Sequence, residues 1–146
     1  MPADVLPLAE LHAEAVRPDL ERLGLWDRSR VRGRFLDEFA VHEAVTVVDE
    51  RSAALLGSFA LHRDADAGEG GALWLRDLHL VPEARGRGIG SRLLDDVAAA
   101  TGGEALSAVV LRGSRAEAFF RRHGFGELVG DGVDAVLHRP ALDVAA

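Results

Sequence analysis

The chain has 146 residues, 24 acidic against 17 basic side chains, a net charge of −7 and no cysteine. Its 48% hydrophobic and 28% charged composition is that of a globular chain, and one domain over residues 1–146 buries roughly two-thirds of its unfolded surface. The missing cysteine excludes disulfides and thiolate chemistry; the acidic balance speaks against nucleic-acid backbone binding, which needs a basic footprint.

All 17 basic residues are arginine, and lysine and tyrosine are absent. That removes a Schiff-base or phosphate-loop lysine and a phenol proton donor. No apolar run reaches the roughly 18 residues of a membrane span, and the start MPADVLPLAELH lacks a basic n-region with an apolar core. A cytoplasmic protein without a membrane partner is expected.

Val5 to Leu8 reads as a first strand. Leu8, Leu11 and Ala15 then recur at helical spacing, as do Leu20 and Leu23. Pro18 should kink that segment or open a second short helix, and Gly24 should end it. Asp27 suits the N-cap of a helix burying Val31, Phe35, Leu36 and Phe39. Val45–Asp49 and Leu55–His62, separated by Glu50-Arg51-Ser52, read as a hairpin. A polar loop from Arg63 to Gly71 follows, then a strand over Ala72–Val81 stopped by Pro82.

The glycine-rich Arg85–Gly90 opens a helix carrying Ile89, Leu93, Leu94, Val97 and Ala98 on one face, closed by Gly102-Gly103. Leu106–Leu111 is an apolar strand and Arg115–His123 a helix. Phe125–Val129 and Val133–His138, joined by Gly130-Asp131-Gly132, form a closing hairpin. The expected fold class is α/β, with a mixed central sheet of about seven strands and about four helices.

The segment from Leu78 to Leu94 combines strand, proline stop, glycine turn and amphipathic helix. Unpaired N–H groups and the dipole at a helix start attract anions, and glycines let a phosphate approach the backbone closely. Arg85, Arg87 and Arg92 add formal charge. A Walker loop fails for want of lysine. The dinucleotide fingerprint fails because Gly86-Arg87-Gly88-Ile89-Gly90 is one residue short at its last spacing and lies past mid-chain.

Arg-x-x-Gly-x-Gly after a strand and a proline resembles the acyl-CoA loop of the GNAT superfamily of N-acyltransferases. Ala116-Glu117-Ala118-Phe119-Phe120-Arg121-Arg122-His123-Gly124-Phe125 resembles that family's second signature, an apolar helix ending in Tyr-x-x-x-Gly-Phe. The order of elements is similar over nearly the whole chain. The resemblance implies a single GNAT-like domain that uses acetyl-CoA as cosubstrate. Its pyrophosphate would be held by Arg85, Gly86, Arg87, Gly88, Ile89, Gly90 and Ser91. Its pantetheine arm would meet the backbone of Leu80, and its adenosine phosphate would meet Arg115.

The chain departs from the family pattern where chemistry occurs. The position often held by a cofactor-contacting asparagine is Gly113. The tyrosine that commonly protonates the departing thiolate is Phe120. The strand positions that supply a base in several relatives are Trp74 and Arg76. An alkyl amine is only roughly 0.1% neutral at pH 7, so a base assists direct attack. Asp77 and His79 remain as candidates, on the opposite strand face if the strand is regular, together with His138 on the closing strand.

No metal is expected, because His12, His42 and His62 are scattered without ligand spacing. Asp64, Asp66 and Glu69 begin like a calcium loop that lacks its glycine and its closing glutamate. No serine sits in Gly-x-Ser-x-Gly. Trp26, after Gly24, is a candidate wall for an acceptor pocket.

The implied function is acetyl transfer from acetyl-CoA directly to a primary amine, on a small molecule or a polypeptide. The alternative is a non-catalytic acyl-CoA-binding sensor or regulatory module that lost its general acid. A homodimer is compatible with either.

Overall fold

In the computed structural model the described residues are 5–38, 44–64 and 71–143. They form four α-helices and a six-stranded mixed sheet of order β1-β2-β3-β4-β6-β5. Two compact units are distinguished, Met1–Ala60 with Asp77–Arg85 and Leu61–Arg76 with Gly86–Ala146.

The first unit begins with helix α1, Val5–Arg22. The expected strand over Val5–Leu8 is therefore corrected to helix, which brings the strand count from seven to six. Four apolar residues cannot separate the two periods by themselves; the buried set Val5, Leu8, Ala9 and Ala13 has helical spacing. Pro18 lies inside α1 rather than dividing it. It removes one backbone bond from an exposed turn, and the ladder resumes with Leu23 N–H to the Asp19 carbonyl at 3.0 Å. Beyond the last turn Gly24 takes φ +73°.

Helix α2, Arg28–Glu38, starts at the expected cap: the Asp27 carboxylate accepts from Arg30 N–H at 3.1 Å. Its buried Phe35 joins Val5, Leu8 and Ala9 in one core, flanked by Leu36, Ala44 and Leu55. Phe39, assigned to the same face, lies outside the described residues. Strand β1, Ala44–Val48, pairs antiparallel with β2, Leu55–Asp64. Asp49 ties their turn by accepting from Arg51 and Ser52 N–H, each at 2.9 Å.

Strand β3, Ala72–Leu80, is not regular. Asp77 has φ +53°, a left-handed conformation that breaks the alternation assumed for Asp77 and His79.

In the second unit β3 runs parallel to β4, Leu106–Leu111, over the pairs from Leu73↔Leu106 to Leu75↔Ala108. Helix α3, Ile89–Thr101, buries Leu94 and Val97 and ends at left-handed Gly102. Helix α4, Arg115–Arg122, is capped by Ser114, whose Oγ accepts from Glu117 N–H at 3.0 Å. Strands β5, Gly126–Gly130, and β6, Asp134–Arg139, form the closing hairpin, and β6 pairs antiparallel with β4. Among the described residues no helix is long and apolar enough to cross a membrane.

Candidate functional site

At the end of β3 the chain turns through a short 3-10 segment, Pro82–Ala84, where Arg85 N–H donates to the Pro82 carbonyl at 3.2 Å. Arg85 also donates through Nε to the Leu80 carbonyl at 3.2 Å. The guanidinium thus occupies one backbone acceptor assigned above to a ligand arm.

In the second unit the turn continues through Gly86, φ +72°, and Gly88, φ +76°. Only glycine takes these values without strain, and a Cβ at either position would meet open space. The first α-helical bond of α3 runs from Arg92 N–H to the Gly88 carbonyl, 3.1 Å. The N–H groups of Ile89, Gly90 and Ser91 precede it, no side chain caps them, and the first turn holds no acidic residue. Arg87 and Arg92 are exposed and take part in no ion pair among the described residues. Uncapped donors, dipole and guanidiniums together can hold an anion.

Gly90 has a separate reason to be glycine. A Cβ there would lie 3.0 Å from the Phe119 ring. Beside it Ser91 Oγ lies 2.9 Å from His123 Nε2, and His123 Nδ1 lies 2.8 Å from the Phe119 carbonyl oxygen. The Phe119 and His123 rings are 4.5 Å apart.

Of the catalytic candidates, Asp77 and His79 come together in the first unit with a residue the sequence reading set aside. His12 Nδ1 lies 2.9 Å from His79 Nε2 and 3.7 Å from Asp77 Oδ1. The His12 ring also stacks on Phe35, 4.7 Å between centroids. Burial, then the His12 and Arg85 charges, push His79 down to about 3, and burial lowers His12 against the opposing pull of Asp77. Both imidazoles are neutral at pH 7. His12, Asp77 and His79 place three donor atoms within 4.8 Å, a grouping that the scattered histidines did not suggest. The available signal was helical: His12 follows Leu8 by four residues, on the buried face of α1. The two facing nitrogens already satisfy each other, and His42 lies outside the described residues, as do Asp66 and Glu69 of the calcium-like loop.

His138 is engaged elsewhere. Its Nδ1 lies 2.9 Å from Oγ of Ser107, its cross-strand partner on β4. Phe120 is 3% exposed and packs edge-on against Phe119 and Phe125. Gly113 has φ +76° and donates its N–H to Glu117 at 2.8 Å. Arg115 is exposed at the first position of α4. Trp26 lies under the Arg17 guanidinium, 5.3 Å from its centroid.

The family model of the acetyltransferase (GNAT) domain matches residues 39–127. The chain belongs to the GNAT acetyltransferase family. No curated protein matches its sequence. Among solved structures, this GNAT chain is similar to an acetyltransferase from Corynebacterium glutamicum described as histone acetyltransferase and related. That likeness has 19% identity, covers 100% of this chain and 96% of the other, and has a TM-score of 0.67. The PaiA N-acetyltransferase of Thermoplasma acidophilum, solved in complex with coenzyme A, gives 18% identity, 94% and 92% coverage and a TM-score of 0.64. An acetyltransferase from Thermus thermophilus gives 21%, 90% of each chain and 0.60. At these identities the likeness establishes the shared GNAT fold.

Proposed function

We propose that this GNAT chain is an N-acetyltransferase acting as one domain over residues 1–146, moving an acetyl group from acetyl-CoA directly to a primary amine. The observation that carries the reading is the uncapped start of α3. There Gly86 and Gly88 keep the backbone open while Ile89, Gly90 and Ser91 present N–H groups. These residues, with Arg87, hold the diphosphate of the cofactor. The family resemblance adds Leu80 and Arg85 at the end of β3 and Arg115 on α4. Membership of the family and the coenzyme A complex of the PaiA relative support the choice of acyl-CoA.

The chemistry left to the chain is proton removal from the incoming amine and proton return to the thiolate. Asp77 and His79, and His138 on β6, are the proposed bases; Phe120 leaves the thiolate to be protonated by water. The acceptor is a small molecule or a polypeptide amine, the net charge of −7 favouring a cationic one. No metal is assigned a role, and the proposed setting is the cytoplasm. Phe120 and Gly113 favour a second reading, a non-catalytic acyl-CoA-binding module.

Incubation with acetyl-CoA and pooled amines, followed by mass spectrometry, separates the two. The first reading requires an acetylated amine, the second requires retained acyl-CoA with no product, and neither survives if no acyl-CoA is retained or consumed.

A further inference from the structure

The contact of His123 with the Phe119 carbonyl fixes the position of one ring proton. A carbonyl oxygen only accepts, so the hydrogen bond from His123 to the Phe119 carbonyl puts the ring proton on Nδ1. A neutral ring then leaves Nε2 as a bare acceptor, and the Ser91 hydroxyl donates its one proton into it. A phosphate oxygen is also an acceptor. At the start of α3 a bound diphosphate and Nε2 therefore compete for a single hydroxyl proton.

We infer that His123 is the positioning residue of the diphosphate site, and that anion binding is coupled to uptake of one proton on its Nε2. The inference rests on the acyl-CoA reading above. In the bound state the imidazolium keeps Nδ1–H on the Phe119 carbonyl and donates Nε2–H to Ser91 Oγ. The hydroxyl proton turns to the phosphate, and the added proton comes from solvent. No bond to phosphorus forms or breaks.

The contacts on the ring from α3 and α4 are the Ser91 hydroxyl and the carbonyl and ring of Phe119. The charged residues adjoining them in sequence are Arg92 beside Ser91 and Arg122 beside His123, neither in an ion pair among the described residues. Glu117 and Arg121 of α4 are paired with each other at 2.9 Å. An incoming dianion is thus the negative charge that the imidazolium meets.

The test uses the full chain and coenzyme A as probe. Calorimetry at one pH in buffers of differing ionisation enthalpy reads the protons taken up on binding. Net proton uptake on coenzyme A binding is expected in the wild type. It is largely lost in Ser91→Ala and in His123→Gln, each checked for folding by circular dichroism. Comparison with the variants removes the titration of the cofactor's own phosphates. Affinity of the wild type falls as pH rises, by up to about tenfold per pH unit, and the variants show a flatter profile.

Nitrogen-edited NMR of the ring gives a reading independent of mutation. The free protein should show the Nδ1–H tautomer at His123 and the complex an imidazolium. Tight binding with no proton uptake and a neutral His123 overturns the inference and leaves the acyl-CoA reading standing. Failure of coenzyme A to bind the wild type overturns both.

Discussion

The rings of His12 and His79 meet at 2.9 Å, Nδ1 to Nε2, across 67 residues of sequence, and hold one proton between them. The Asp77 carboxylate, 3.7 Å from the same Nδ1, favours His12 as the donor. His79 is pushed down to about 3 while an unfolded histidine titrates near 6.5. Between these values the unfolded chain binds a proton that the folded one does not, so stability is full above about pH 6.5 and falls as pH drops toward 3. The limiting slope is about 1.4 kcal/mol per pH unit for one group. Urea unfolding at a series of pH values should show this decline, and His79→Phe should flatten it. An unchanged slope in a folded His79→Phe protein would remove His79 as its cause.

The same pair bears on metals. Each imidazole uses the other, so exhaustive chelation should leave thermal stability and any transferase activity unchanged. Activity lost on chelation and restored by one divalent ion would overturn this expectation.

Gly88 lies at φ +76° with open space where a Cβ would be. Gly88→Val is therefore disfavoured by backbone conformation rather than by a clash, at a cost of about 1–2 kcal/mol. The side chain would fill the room a phosphate needs. Acetyl-CoA at 100 times its Kd should stabilise the wild type by about 2.7 kcal/mol and leave Gly88→Val unshifted. A full ligand shift in that variant would sink the diphosphate assignment.

Phe120 sets two expectations against each other. A tyrosine there would supply the proton donor that the family resemblance implies at this position, and a positioned acid contributes ~10²–10⁴-fold to a rate. Yet Phe120 is buried among Phe119 and Phe125, so its new hydroxyl needs a partner and costs about 1–3 kcal/mol without one. Phe120→Tyr should lower the stability of the free protein, recover part of it with acetyl-CoA bound, and raise turnover. Equal or lower turnover in a folded, cofactor-binding variant would mean that thiolate protonation does not limit the rate.

Arg139 on β6 is 6% exposed, and its Nε and Nη2 have no hydrogen-bond partner among the described residues. Its guanidinium lies 5.3 Å from the Phe125 ring centroid, and burial lowers its proton affinity against the pull of Asp95. Methionine of similar length keeps the packing and removes the unsatisfied charge. Arg139→Met should stabilise the fold by about 1–3 kcal/mol. Chemical denaturation would decide it, and a large loss of stability would show that the cation is satisfied.

Most elements are legible in the sequence, because their signals are local. Asp27 caps α2, Gly102 closes α3, and Leu106–Leu111 is a strand of the length its apolar run spans. The sequence also located the glycine turn, since open φ values and an uncapped helix start follow from residue type. It erred at Val5–Leu8, where four apolar residues fit either period until burial against Phe35 selected the helix.

The partnerships between side chains arise only on folding. The left-handed Asp77 is invisible to alternation, and the meeting of His12 with His79 depends on how α1 lies on β3. The seating of His123 between Ser91 and the Phe119 carbonyl likewise joins helices that no spacing rule connects. Periodicity assigns a residue to a face. Which nitrogen carries its proton is set by the groups that folding brings within hydrogen-bond reach.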